Sequence, residues 1–401
     1  MSRYPFPPEV LDGLPEPLAE LIRGLEDRLI YEICSRLQVA GELNEVTVEA
    51  IRSLRSIGLD ITEIEKAIAE TVQMGEEEID RLFDEVVERN QKFSTDLITK
   101  ADVMMPLVLV GNDEIDAIRR QTKEKFTNLT RSMGFLVRKG GKVVGALPAA
   151  SAYQTILDNA EMDVLSGAIS YRQAIEKATR ELADSGLKKV YYEGDGKSRY
   201  DQADVAARRA VLTGVNQVNQ RFTEHTVERL GTDLVEVSAH QGARDTGSGP
   251  ENHKAWQGKV YQWVKPGTVR NPKYPDFEKV TGYGTGPGLG GWNCRHRYFP
   301  YVEGVSERSY TDKELKGIDR PPFEFHGVKY TQYEATQEQR RIERTVRKLK
   351  RRETAYKSAG LKEEAQAAGI RIKRLRAQYK AFSDASGLST QEERMKVIYP
   401  D

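Results

Sequence analysis

Cysteine is nearly absent from this sequence. Two residues in 401, Cys34 and Cys294, imply no disulfide framework, and synthesis in a reducing cytosol is the expectation. Long apolar runs are missing as well. Nothing approaches the roughly 18 consecutive apolar residues of a membrane span, and the best short run, residues 103–110, contains Pro106. The first residues lack the apolar stretch of a secretory leader. No Lys-Ser/Thr closes the glycines of 282–291, so a phosphate loop is not read there. Net charge is also lacking, with 61 Lys/Arg against 61 Asp/Glu.

The neutral total conceals two blocks. Residues 1–100 carry 11 Lys/Arg against 22 Asp/Glu, and residues 340–380 carry 15 against 4. One end repels polyanions and the other attracts them, and the blocks can also pair within one chain or between copies. Hydrophobic residues make up 38% and charged residues 30%, which suits long, partly solvated helices better than one thick core. At this length two or three domains are expected.

Residues 1–13, with Pro5, Pro7 and Pro8, read as an extended arm. Leu18, Leu21, Ile22, Leu25, Leu29, Ile33 and Leu37 then repeat with helical period. A capped helix start at 60–63 and a separate helix over about 76–100 follow. Further helices are expected over 115–133, 149–165, 170–183 and 201–230. Gly140-Gly141 reads as a hairpin turn, and 188–193 as a short strand. The texture changes near Thr232: residues 234–238 and 258–264 alternate like strands, 242–291 are rich in Gly and Pro, and 295–302 return to a strand-like segment. Thr311 with Glu314, and Thr331 with Glu334, have capping-box spacing. Residues 331–358 and 361–383 form a basic helical hairpin turning at Ala359-Gly360, and a last short helix opens at Ser389. The fold class expected is mainly α with a small α+β module: helical bundle or hairpins plus short strands and long Gly-rich loops.

The α+β stretch 232–305 holds all three tryptophans, Cys294 and three of the five histidines. A tetrahedral zinc set of His240, His253, Cys294 and His296 is conceivable, although Cys-x-His is tighter than the usual gap. So is cysteine catalysis, with Cys294 as nucleophile, His296 or His240 as base, and Arg295 and Arg297 lowering the thiol pKa. The reading adopted is a structural node, in which Trp, His, Asn and Cys side chains brace loops too Gly-rich to hold themselves. No catalytic residue, metal or other cofactor is expected on that reading. In the basic hairpin, Arg340, Arg344, Arg347, Lys348 and Arg351 share one helix face. With Arg341, Arg371 and Arg374 they form the stripe expected to track a duplex DNA backbone without reading sequence.

The segments at 235–244, 253–261, 274–277, 281–286 and 288–296, ending in Trp-Asn-Cys-Arg-His, closely resemble the phage minor capsid protein 2 family. They look more distantly like the Mu F-type head morphogenesis proteins. The family pattern carries onto His240, Gly242, Arg244, His253, Trp256, Gln257, Gly258, Asn293, Cys294, Arg295 and His296. Two features depart from it: the 245–252 loop is longer, and Gly290 stands where relatives often have a second Cys. The resemblance implies a structural, non-enzymatic protein of few copies per virion, in the head interior or at the portal vertex. Its implied partners are the portal protein, the inner capsid, packaged double-stranded DNA and other copies of itself, with no membrane during assembly and a role in DNA packaging or ejection. Three regions are expected: an acidic helical region (1–148), the family module (149–310) and the basic C-terminal hairpin (311–401). Two alternatives stand beside this: a hydrolase or transferase using His240, His253 and Cys294, and a scaffold that self-associates through its opposite charge blocks.

Overall fold

The computed structural model describes residues 5–6, 8–41, 61–101, 110–139, 142–192, 198–291 and 294–398. Helix α1 (Pro8–Gly13) replaces the extended arm expected at the start. Pro8 takes the first helical position, where a missing N–H costs little, and Leu11 is buried. In α2 (Glu16–Gly41) the predicted stripe from Leu18 to Leu37 is buried except at Leu21, which is half-buried. Where the sequence suggested two helices, a single 40-residue α3 (Ile61–Lys100) runs through Gly75. A Cβ at that position would lie 2.0 Å from Phe126 Cε1, so the glycine admits a ring and does not break the helix. Helix α4 (Asn112–Ser132) follows.

Strands β1 (Gly134–Lys139) and β2 (Lys142–Leu147) form the anticipated hairpin; its turn, Gly140-Gly141, lies outside the described residues. Then come α5 (Ala149–Leu165), α6 (Tyr171–Ser185), β3 (Leu187–Tyr192), β4 (Ser198–Gln202) and α7 (Ala203–Leu230). The predicted capping box at Ser170 and Gln173 is formed in both directions. Strands β1–β4 make an antiparallel sheet in the order β2-β1-β3-β4.

Beyond α7 lie β5 (Leu234–Val237), α8 (His253–Trp256), β6 (Val260–Gln262), α9 (Phe277–Thr281), β7 (Tyr298–Tyr301) and α10 (Asp312–Lys316). The hairpin of β8 (Phe323–Phe325) and β9 (Val328–Tyr330) turns at His326-Gly327, both at positive φ. This hairpin was not anticipated. The basic hairpin is α11 (Gln332–Ser358) and α12 (Lys362–Ser386), and the last short helix is a 3₁₀ turn at Glu392–Met395. The protein is thus mainly helical with short antiparallel strands. Among the described residues no helix is long and apolar enough to cross a membrane.

Two compact units are each gathered from three stretches: residues 1–16, 77–124 and 209–338 in one, and 17–76, 125–208 and 339–401 in the other. Each draws on more than one of the three regions marked out in the sequence. The first contains the three-stranded antiparallel sheet β6-β5-β7. Its central strand β5 is buried along its whole length. The buried Glu236 carboxylate accepts from Ser309 N–H at 2.8 Å and from Ser309 Oγ at 2.9 Å. Behind the sheet, Trp263, Phe277, Tyr283 and Tyr298 pack ring on ring, with centroids 4.9–5.7 Å apart.

The second unit places the four-stranded sheet with α5 and α6, and of the basic hairpin it contains α12 and α11 from Gln339 onward. On that hairpin Arg347 and Arg351 are buried, not solvated, and both bond Glu26 of α2, at 2.6 and 2.7 Å. They therefore drop out of the stripe expected to face DNA, because each guanidinium is already held by a buried carboxylate. Arg341, Arg344, Arg371 and Arg374 are exposed; Arg340 and Lys348 are half-buried, and Lys348 pairs with Asp184 at 3.3 Å.

A candidate histidine–cysteine node

The sequence elements that resemble the family meet at one place in the first unit. His240 follows β5, His253 and Trp256 sit on α8, Gln257 caps the end of α8, and Cys294 and His296 lead into β7. Asn252 starts α8 by accepting from Ala255 N–H at 3.2 Å, so a single turn suffices to aim His253 and Trp256 inward. His240, His253, Trp256, Gln257, Cys294 and His296 are all buried. Trp292 and Asn293 lie outside the described residues.

Hydrogen bonding fixes the tautomers. Gln257 Oε1 accepts the backbone N–H of His240 at 3.0 Å, which leaves the amide no freedom to flip. The same oxygen lies 3.0 Å from His296 Nε2, so that nitrogen carries the proton. His296 Nδ1 is then a lone pair, 3.6 Å from Cys294 Sγ. His253 Nε2 donates to the Pro287 carbonyl at 2.8 Å, leaving its Nδ1 as the lone-pair nitrogen. His240 Nδ1 lies 2.9 Å from the Gln241 carbonyl, which can only accept; the 3.3 Å approach of Arg295 Nη2 to that nitrogen is therefore a contact and not a second bond. The rings close around His296: His240 stacks on it at 4.3 Å, and Trp256 and His253 meet it edge-on at 4.8 and 5.4 Å.

Burial dominates the electrostatics. It holds His296 well below the usual imidazole range, helped by the neighbouring imidazoles and by Arg295 and Arg297. It lowers His253 and raises the Cys294 thiol. Arg297, fully enclosed, is lowered to about 10. Cys294 and His296 thus meet as neutral thiol and neutral imidazole, the reverse of the thiolate–imidazolium pair that a nucleophilic cysteine needs.

The Gly-rich loop is held to the node from outside. The Pro287 carbonyl accepts from both His253 and Arg244, the latter at 3.4 Å. Leu289 N–H bonds Thr281 O at 2.9 Å and Cys294 N–H bonds Gly291 O at 3.2 Å. Trp256 Nε1 donates to Pro250 O at 3.1 Å, and Tyr261 Oη to Trp256 O at 2.7 Å. Gly242 has φ +68°, and its N–H bonds Asp319 at 2.8 Å; Gly258 has φ +69° and faces Leu315 so closely that a Cβ would lie 2.3 Å from it. Sequence reasoning missed Asp319, Leu315 and Tyr261, which are ordinary residue types with no local pattern. The described core also holds Trp263 beside Trp256.

The profile of the family described as phage minor capsid protein 2 matches residues 6–384. A protein named "Structural protein" from Lactococcus phage LL-H is 28% identical over 220 residues, covering 54% of this chain and 53% of the relative. A "Structural protein" from Lactococcus phage mv4 is 35% identical over 128 residues, 32% of this chain and 94% of the relative. The chain therefore spans about half the length of the first relative. No solved structure gave a significant match. By the extent of the profile match, the chain belongs to the phage minor capsid protein 2 family and is a phage structural protein.

Proposed function

We propose that the protein is a minor component of a tailed-phage head that works beside the portal and touches packaged duplex DNA through the solvent-exposed side of α12. The observation that carries the DNA contact is the disposition of that helix. Ala365, Ala368, Ile372, Tyr379 and Phe382 form its buried stripe, while Arg371, Lys373, Arg374 and Lys380 stand at exposed positions. A row of exposed cations on a rigid helix follows a phosphate backbone without selecting bases. On α11 the exposed Arg341 and Arg344 extend the same charge. Arg347 and Arg351 play a different part here, as counterions that hold the fold.

The histidine–cysteine node supports a bracing role better than a turnover role, because thiol and imidazole are both neutral and enclosed. The self-associating scaffold is less favoured: part of the acidic block is already engaged within the chain, Glu26 by Arg347 and Arg351, and Glu63 and Glu70 by Arg28 at 3.5 and 3.2 Å.

Mass spectrometry of purified virions and of DNA-free proheads tests the reading. The chain is expected in both, at few copies per particle. Its absence from mature particles would overturn the assignment. Its presence only in DNA-filled heads would overturn the portal-side entry during assembly.

A further inference from the structure

His253, Cys294 and His296 each bring one nitrogen or sulfur atom to within 4.8 Å of the others, and all three residues are buried. We infer that this triad binds a single zinc ion, through Cys294 Sγ and the Nδ1 atoms of His296 and His253. The inference concerns the node alone and does not depend on DNA contact or on virion assembly.

Several features specify a metal site and not merely a packed one. Zinc–sulfur and zinc–nitrogen bonds of about 2.3 and 2.0 Å at a tetrahedral angle put the two ligand atoms about 3.5 Å apart; Cys294 Sγ and His296 Nδ1 are 3.6 Å apart. Both imidazoles are held in the tautomer that a metal requires, by an acceptor on the far nitrogen: Gln257 Oε1 for His296 and Pro287 O for His253. Orientation of ligating histidines by such outer acceptors is the usual support of a zinc ligand. The backbone amides of Gly290 and His296 point at the sulfur. The four-residue set conceivable from the sequence shrinks to three, because the ligand atoms that gather within 4.8 Å are those of His253, Cys294 and His296, while the His240 ring stacks on His296.

The surrounding charge selects among metals. Arg244 and Arg297 place positive charge near the sulfur, which opposes a cation that forms no strong bond to it. A hard ion such as magnesium or calcium gains little from one sulfur and two nitrogens, whereas zinc forms a strong thiolate bond. His296 also lines a cavity of about 560 Å³ with Arg297, Gly290 and Gly291. A bound ion would join α8 to the segment entering β7 and pin the Gly-rich loop between them.

The test uses the full-length protein, refolded or dialysed with micromolar zinc and then freed of loose metal. Wild type is expected to retain one equivalent by elemental analysis, and its cobalt-substituted form to show a sulfur-to-cobalt charge-transfer band. Cys294→Ser should lose the band and most of the metal, while His240→Ala should keep both. Circular dichroism on each sample identifies variants that fail to fold. If such a variant leaves the set incomplete, the wild-type cobalt spectrum decides alone: no thiolate band in folded protein overturns the inference. Full retention of zinc by a folded Cys294→Ser variant also overturns it.

Discussion

Arg351 Nη1 lies 2.7 Å from Glu26 Oε1, joining two buried residues 325 positions apart in the chain. Glu26 accepts as well from Arg347 at 2.6 Å and from Leu187 N–H at 2.8 Å. Burial pushes the Glu26 carboxyl up, but Arg351 and Arg347 together pull it below the ordinary range, so it stays ionised. Removing one member of a buried, hydrogen-bonded ion cluster strands the rest and costs about 3–5 kcal/mol. Glu26→Gln should lower stability by that order in urea unfolding, whereas Arg341→Gln, at an exposed site on α11, should change it by less than about 0.5 kcal/mol. Equal effects of the two substitutions would contradict this account.

The neighbouring Asp27 behaves in the opposite way. Its Oδ2 accepts from Ile398 N–H at 2.7 Å, but Oδ1 is buried without a hydrogen-bond partner. Burial first, then the charge of Glu26, raises its pKa from 3.8 to about 7, against the opposing pull of Arg347 and Arg351. A carboxyl raised on folding binds its proton more tightly in the folded state. Its contribution to stability is full below the unfolded value near 4 and is lost as pH rises through about 7. Asp27→Asn keeps an acceptor for Ile398 and removes the charge. It should stabilise the protein more at pH 8 than at pH 5, by on the order of 1–3 kcal/mol. Urea titrations at the two pH values measure the difference; a shift of equal size at both would rule out titration of Asp27 as the cause.

Gly75 supplies a sign test for packing. At most mid-helix positions Gly→Ala gains up to about 1 kcal/mol. Here the new methyl would meet the Phe126 ring at 2.0 Å, and overpacking of this kind costs about 1–3 kcal/mol. Gly75→Ala is expected to destabilise, and Phe126→Leu to recover part of that loss in the double variant. Additive losses in the double-mutant cycle would show that the two residues do not press on each other.

How much of this was legible from the sequence depended on whether the signal was local. Helix stripes such as Leu18 to Leu37, and capping pairs such as Ser170 with Gln173, lie within a few residues, and they appear as expected. Gly75 was misread because its meaning lies in Phe126, 51 positions away, which local helix propensity cannot register. Arg347 and Arg351 were misassigned for the same reason: on a helical wheel they share the stripe with exposed Arg344, and only Glu26 on a distant helix distinguishes them. The residues of the node were recognisable as a set, because His, Trp and Cys are rare in this chain. Their tautomers were not: Gln257 was read only as part of the family pattern, and the other acceptor is the backbone carbonyl of Pro287, 34 positions from His253. The β8–β9 hairpin had a weak local cue in His326-Gly327, between two short aromatic-bearing segments.

The proposed DNA contact makes a quantitative demand of α12. Each phosphate neutralised contributes about −0.9 to the slope of log affinity against log salt. Reversing Arg371, Lys373, Arg374 and Lys380 to Glu should therefore flatten that slope by about 3–4 and weaken retention of duplex DNA at least about tenfold near 50 mM salt. The four side chains are exposed, so the helix and the fold should survive, and circular dichroism checks this. Because such contacts read no bases, the loss should be the same for duplexes of unrelated sequence. Substituting Glu26 leaves this face intact, so at temperatures where the variant stays folded its salt slope should match that of the wild type. An unchanged slope in the fourfold variant would remove α12 as the DNA-facing surface, and the charge of the hairpin would then be explained by its ion pairs alone.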